Sequence, residues 1–327
     1  MCSSRTKRAE VGIPRDFRGI FASEPSAVFV VKGRLTGKDC EVPSFVRGQH
    51  YADNFSKQWS RFRDSQLDSV NGTSISREYL ERLIGHPLEY LAGKTILEVG
   101  AGAGRFTEHL VRYGSLVVAI DLSEAIFVNG ALGAESLVAA QADLLDMPPM
   151  KLKFDVVFCR GVLQHTPDPA RAIELIHGWV APGGVVAFDI YAPGRLGRLN
   201  AKYLLRPIVQ RLFTFDSFSR FLERHAARML RARWRLEPFL PGRSKRLLDY
   251  VLPIWDYRGV LPLSQEQLVE WGKLDTVDAM FARYDNPMKY EDVVDLLRRL
   301  GCRVLSADRE NVFRTTIGKD LAEGRTS

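Results

Sequence analysis

Between Gly93 and Pro193 the chain alternates short apolar runs with amphipathic stretches, a texture that few folds tolerate. The runs TILEV, LVVAI, LVAAQ, FDVVF and VVAFDIY read as strands, while GRFTEHLVRYG, SEAIFVNGALG and DPARAIELIHGWV place apolar residues at helical intervals. Strands alternating with helices predict an α/β fold, in which a parallel sheet carries helices on both faces.

The flanks of this core differ from it. Residues 1–50 form an N-terminal extension whose β-like run AVFVVK, followed by GRLTGKD, suits a small hairpin. Over 51–92, YADNFSKQWSRFRDSQLDS and ISREYLERLI predict helices starting near Asp53 and Ser74, a helical cap interrupted by the loop NGT. The core occupies 93–193 and a basic helical insertion 194–288. Residues 289–327 complete the sheet with the helix KYEDVVDLLRRLG and an antiparallel strand pair, CRVLSADR and NVFRTTIG, turning near Glu310. With 327 residues, 46% of them hydrophobic, the chain is long and apolar enough to fold around a core, so disorder is not expected. Its four cysteines, Cys2, Cys40, Cys159 and Cys302, form no CxxC pair and no histidine stands at zinc-ligand spacing, so neither a disulfide framework nor a metal site is expected. No apolar run approaches the ~20 residues a bilayer span requires. MCSSRTKRAEVG also lacks the apolar centre of a secretory signal, and a cytoplasmic chain is the expectation.

Gly100, Gly102 and Gly104 follow the first strand and open a helix, which is where a doubly wound sheet lets a ligand approach the backbone. Asp121 ends the second strand, at the place of a carboxylate that accepts from ribose hydroxyls. Spacing separates the cofactor classes. A dinucleotide turn requires GxGxxG, yet this one is GxGxG, with Arg105 where the third glycine of that fingerprint belongs. Glu98, just before the turn, repels a phosphate and suits an amino group or a hydrogen-bond network.

Taken together, these residues resemble the class I S-adenosylmethionine-dependent methyltransferases, whose first motif is an acid followed by GxGxG, here Glu98-Val99-Gly100-Ala101-Gly102-Ala103-Gly104. The resemblance implies a Rossmann-like sheet of seven strands, the last antiparallel, and S-adenosyl-L-methionine as cofactor. It also implies cofactor contacts from Asp121 and the adjoining Leu122, from the adenine-contacting segment Ala142-Asp143-Leu144, and from the backbone carbonyl of Arg160 in the loop FCRGVLQHTPDP. Arg105 would pair with the methionine carboxylate or point to solvent. The likeness is close over residues 95–190. A looser one, through YADNFSKQW and WGKLDTVDAMFARYDNP, reaches a bacterial subgroup with a type-11 methyltransferase domain, similar to quinone-biosynthesis methyltransferases and to small-molecule or glycan-pathway enzymes.

Methyl transfer from a sulfonium asks a protein mainly for alignment, exclusion of water and management of one proton. His165, in the loop after the fourth strand, is the candidate base, or else a histidine that shapes the pocket through a backbone bond. Its neighbour Gln164 joins Asp275, Asp278, Arg283 and Tyr284 as candidate acceptor-binding residues; a salt-bridged surface helix is the other reading of that last group. Before the sheet, Gln58 is a candidate for the methionine end of the cofactor and Tyr51 for the acceptor, with Trp59 either beside them in a lid or in the core. Where an NPPY-like tetrapeptide or a Pro-Cys pair would announce a nucleobase acceptor, FCRGV stands instead. A small-molecule, glycan or lipid-linked acceptor is expected.

From Tyr191 to Tyr250, 14 Lys and Arg face 4 acids, so this segment holds a charge of +10 in a chain of net +7. Arg195, Arg198, Arg206, Arg211, Arg220, Arg224, Arg228, Arg231, Arg233 and Arg235 accompany Leu204, Ile208, Leu212, Phe213, Phe221 and Met229 at helical intervals. The pattern suits a solvated face over an ordinary core, peripheral contact of residues 195–246 with an anionic membrane, or, less well, nucleic acid. RNA methylation and a non-catalytic cofactor-binding scaffold are the alternative functions.

Overall fold

A computed structural model describes residues 16–47, 66–193, 201–241, 247–308 and 311–317. An N-terminal hairpin of β1 (Ala27–Lys32) and β2 (Asp39–Ser44) leads to α1 (Ile75–Ile84). The core then runs β3 (Thr95–Val99), α2 (Thr107–Leu110), β4 (Leu116–Asp121), α3 (Ala125–Gly130), β5 (Leu137–Gln141), β6 (Phe154–Cys159), α4 (Pro169–Gly178) and β7 (Val180–Asp189). Four further helices follow: α5 (Ala201–Leu212), α6 (Phe215–Leu236), α7 (Leu248–Val251) and α8 (Gln265–Phe281). Last come α9 (Tyr290–Arg299), β8 (Cys302–Ala307) and β9 (Val312–Ile317).

The sheet has nine strands in the order β1-β2-β5-β4-β3-β6-β7-β9-β8. Seven of them, β3 to β9, answer the expectation, with β9 antiparallel to β7. The count is two higher because the hairpin does not stand apart: β2 joins the edge through one parallel pair, Ser44 with Gln141, sealed by a 2.7 Å bond between their side chains. No local pattern in DCEVPS, the sequence of β2, announces a pairing about a hundred residues away.

Alternation along β3 divides the core. Ile96 faces α1, meeting Leu80, Leu83 and Ile84, whereas Leu97 and Val99 face the layer that holds Ile173 and Ile176 of α4 and Val293, Leu296 and Leu297 of α9. The α5–α8 helices have an apolar centre of their own, in which Phe218, Leu222, Ala226 and Leu230 of α6 meet Val277 and Met280 of α8. Capping boxes at Thr214 and Ser264 start α6 and α8. Among the described residues no helix is long and apolar enough to cross a membrane.

Candidate active site

A cavity of about 540 Å³ opens at the carboxyl ends of β3, β4 and β6, where α8 closes over it. The glycine turn forms one wall. Gly100 at φ 75° and Gly102 at φ 51° adopt the left-handed backbone that only glycine accepts cheaply, and both line the cavity together with Ala101. A Cβ on Gly100 would lie 2.0 Å from Val162 Cγ2, so that position is closed to other residues by packing as well. Asp121 is held in place: Oδ2 accepts from the Gly102 amide at 2.8 Å, and Oδ1 from the Ser123 amide and hydroxyl at 2.7 and 2.6 Å. Leu122, Ala142 and Leu144 add an apolar slot beside it.

Three of the expected cofactor contacts lie off the cavity. Glu98 is buried beneath the turn, where Oε2 accepts from the Thr107 hydroxyl at 2.6 Å and Asn129 donates to that same hydroxyl at 2.8 Å. Burial, aided by the charge of Asp121, pushes its carboxyl up to about 8. Gly104, at φ 103°, turns toward Leu132 and Asn129 of the α3 region. Asp143 caps a single helical turn by accepting from the Leu145 amide at 2.9 Å.

Arg105 lines the cavity but is not free to swing. Its Nε donates to Ser76 at 3.0 Å and its Nη1 to Gln66 at 3.3 Å, while its guanidinium lies 5.1 Å from the Trp271 ring. Burial, with Arg160 nearby, disfavours its charge. Arg160 sits 3.7 Å from Asp189 and over the Tyr79 ring; burial works against its charge, yet Asp189 and Tyr79 hold it above the usual arginine range.

The opposite wall brings His165 to α8. Nδ1 lies 3.0 Å from the main-chain carbonyl of Tyr284, and since a carbonyl only accepts, Nδ1 carries the proton. In the neutral imidazole the lone pair is then on Nε2, which lies 3.8 Å from Asp278 Oδ2. Asp278 and Asp275 both line the cavity. Burial pushes Asp275 up to about 6, and the Tyr257 hydroxyl donates to its Oδ2. Burial and these acids keep the phenols of Tyr191 and Tyr257 well above their usual range, hence neutral.

The other acceptor-side candidates do not line the cavity. Gln164 is fully buried off the cavity, and Arg283 is exposed, stacked on Tyr284, which contributes its carbonyl and not its ring. Tyr51, Gln58 and Trp59 lie outside the described residues. Sequence reasoning missed Tyr79, Tyr191, Tyr257 and Trp271, aromatic walls of the cavity. Their separation along the chain from Gly100 leaves no spacing to read.

Residues 97–188 match a family model described as methyltransferase domain. From β3 to β7 the chain is thus similar to a methyltransferase domain. Over 144 residues it is 37% identical to the ubiquinone biosynthesis O-methyltransferase of Azotobacter vinelandii, covering 40% of this chain and 60% of the relative. It is 35% identical over 142 residues to the enzyme of that name from Methylococcus capsulatus, covering 40% and 59%. Of solved structures, the DhpI-SAM-HEP complex shares 28% identity over 44% of this chain and 65% of that chain, at a TM-score of 0.36. The chain thus spans about 60% of the length of these curated relatives. The matched residues end within β7, so the loop that supplies Tyr257 and the helix α8 that supplies Trp271, Asp275 and Asp278 lie beyond them.

Proposed function

We propose that the protein is an S-adenosylmethionine-dependent O-methyltransferase acting on a hydroxyl-rich small molecule, sugar-derived or lipid-linked. One observation carries the reading: a single cavity has a glycine turn with a fixed strand-end carboxylate at one side and His165 with Asp278 at the other. The donor set fits the cofactor. Asp121 lines the cavity at the strand end where a ribose would present its hydroxyls, the Leu122, Ala142 and Leu144 slot suits a flat base, and a carboxylate beside Arg105 would relieve a guanidinium whose charge burial disfavours. When bound, S-adenosylmethionine supplies a sulfonium-activated methyl group and leaves as S-adenosylhomocysteine.

The chain's own residues manage the acceptor. His165 Nε2 takes the hydroxyl proton, and Asp278 stabilises the imidazolium that results. Asp275 and Asp278 accept from neighbouring hydroxyls of a polyol, with Tyr191 and Tyr257 as neutral donors. The aromatic and α8 walls exclude water. A role for oxygen as the methylated atom is supported by the O-methyltransferase names of the two relatives.

Calorimetric titration with S-adenosylmethionine and with NADH, on the wild type and on Asp121→Ala, tests the cofactor half. Micromolar binding of the former only, weakened at least ten-fold in the variant, is expected. Release of S-adenosylhomocysteine upon incubation with hydroxylated acceptors tests the rest. Binding without turnover across such acceptors would assign the protein a scaffold role, and turnover on RNA alone would overturn the acceptor class.

A further inference from the structure

Five arginines of α6, Arg220, Arg224, Arg228, Arg231 and Arg235, recur at intervals of four, four, three and four residues, so they form one stripe along the helix. At 1.5 Å per residue the stripe is about 22 Å long. All five are exposed, and none forms an ion pair with a described residue. Nearby cations behave otherwise: Arg206 is bound to Asp285, Arg233 to Asp249, and Arg258 to Glu237. Asp216 and Glu223 are the only acids of α6.

Next to this stripe in sequence, α5 exposes apolar side chains. Leu204, Ile208 and Leu212, four residues apart, are 46%, 54% and 70% exposed. α7, which packs on α5, adds Leu247 at its N-cap and Val251, and Phe239 beyond α6 is 85% exposed. A row of aliphatic side chains held in water is costly for a helix that has no further partner.

We infer that the outer face of α5 to α7 docks on an anionic lipid surface, with arginines against the headgroups and the aliphatic row in the boundary beneath them. The aliphatic row decides against nucleic acid, since Leu, Ile and Val offer nothing to phosphates and cannot stack on bases as aromatic rings do. Docking does not depend on methyl transfer. It bears on it, because α8, which packs on both α5 and α6, also lines the cavity, so a lipid-linked acceptor would arrive beside the site.

Flotation of the full chain with phosphatidylcholine vesicles, with and without roughly one-third phosphatidylglycerol, tests the inference. Binding to the anionic vesicles alone, weakened by salt, is expected. Each arginine near such a surface contributes about a five-fold factor, so Arg224→Glu/Arg228→Glu/Arg231→Glu should weaken partition at least about a hundred-fold. Ile208→Asn/Leu212→Asn should remove the part of binding that salt leaves intact. The inference is overturned by failure of the wild type to float, by indifference to the arginine changes in variants that still bind S-adenosylmethionine or keep wild-type circular dichroism, or by tighter binding to a single-stranded RNA than to the vesicles at equal phosphate.

Discussion

The Tyr284 carbonyl fixes one proton on His165 and thereby presents the other nitrogen to the cavity. Replacing His165 by Ala should lower kcat by about 10²- to 10⁴-fold while leaving S-adenosylmethionine affinity within about two-fold. Equal losses in both would mean that the residue shapes the cofactor site and is no base. Glu98 offers a different test. Its carboxyl ionises at about 8 when folded against an ordinary 4.5, so between those values the unfolded chain holds fewer protons than the folded one. Stability from this group is therefore complete below pH 4.5 and is lost as pH rises toward 8, by up to a few kcal/mol. In Glu98→Gln the fall in Tm between pH 5 and 8 should flatten; parallel Tm curves would refute the assignment. The sequence made both residues visible but not their surroundings. An acid before a glycine turn reads as a ligand contact, and only the fold reveals that the strand's alternation aims it at Thr107.

A helix start was legible at Asp168, whose side chain accepts from Arg171 N, and at Ser74, which stands at the N-cap of α1 with its hydroxyl donating to the Glu78 carboxylate. The stretch GRFTEHLVRYG carried helical periodicity, yet only Thr107–Leu110 is α-helical, because the glycine turn extends through it and Gly104 adopts positive φ. Least legible was the segment ARYDNP after α8. Asn286 donates its amide to Gln164 O at 2.8 Å and its side chain to Thr166 O at 2.9 Å, so this loop grips both sides of His165. Asp285, its side chain 2% exposed, binds Lys202 at 2.6 Å and Arg206 at 3.0 Å, tying the same loop to α5. Asp285→Ala leaves two cations without their buried partner and should cost about 3 kcal/mol by denaturant unfolding. Asn286→Ala should reduce kcat more than it weakens cofactor affinity; an unchanged kcat would show that the loop holds its place without that bond.

For the molecule as a whole, the parallel core was readable because each strand and its crossover helix lie next to each other in sequence, whereas the hairpin and the α5–α8 helices reach the sheet by contacts between distant segments. Cofactor at about 100 times its Kd should add about 2.7 kcal/mol to the stability, seen as a higher Tm that Asp121→Ala abolishes. Hydrogen exchange should release the β1–β2 amides well before those of β3, β4 and β6, since β2 joins the sheet through a single parallel residue pair and β1 lies at the sheet's outer edge. The bond that orients His165 ends on a main-chain oxygen, and that has an evolutionary consequence. No point substitution at position 284 can delete a carbonyl, so the side chain there is free to drift as acceptors change, while the imidazole keeps its tautomer. Relatives with the same chemistry should therefore differ at 284 yet retain the backbone path that Asn286 and Asp285 impose.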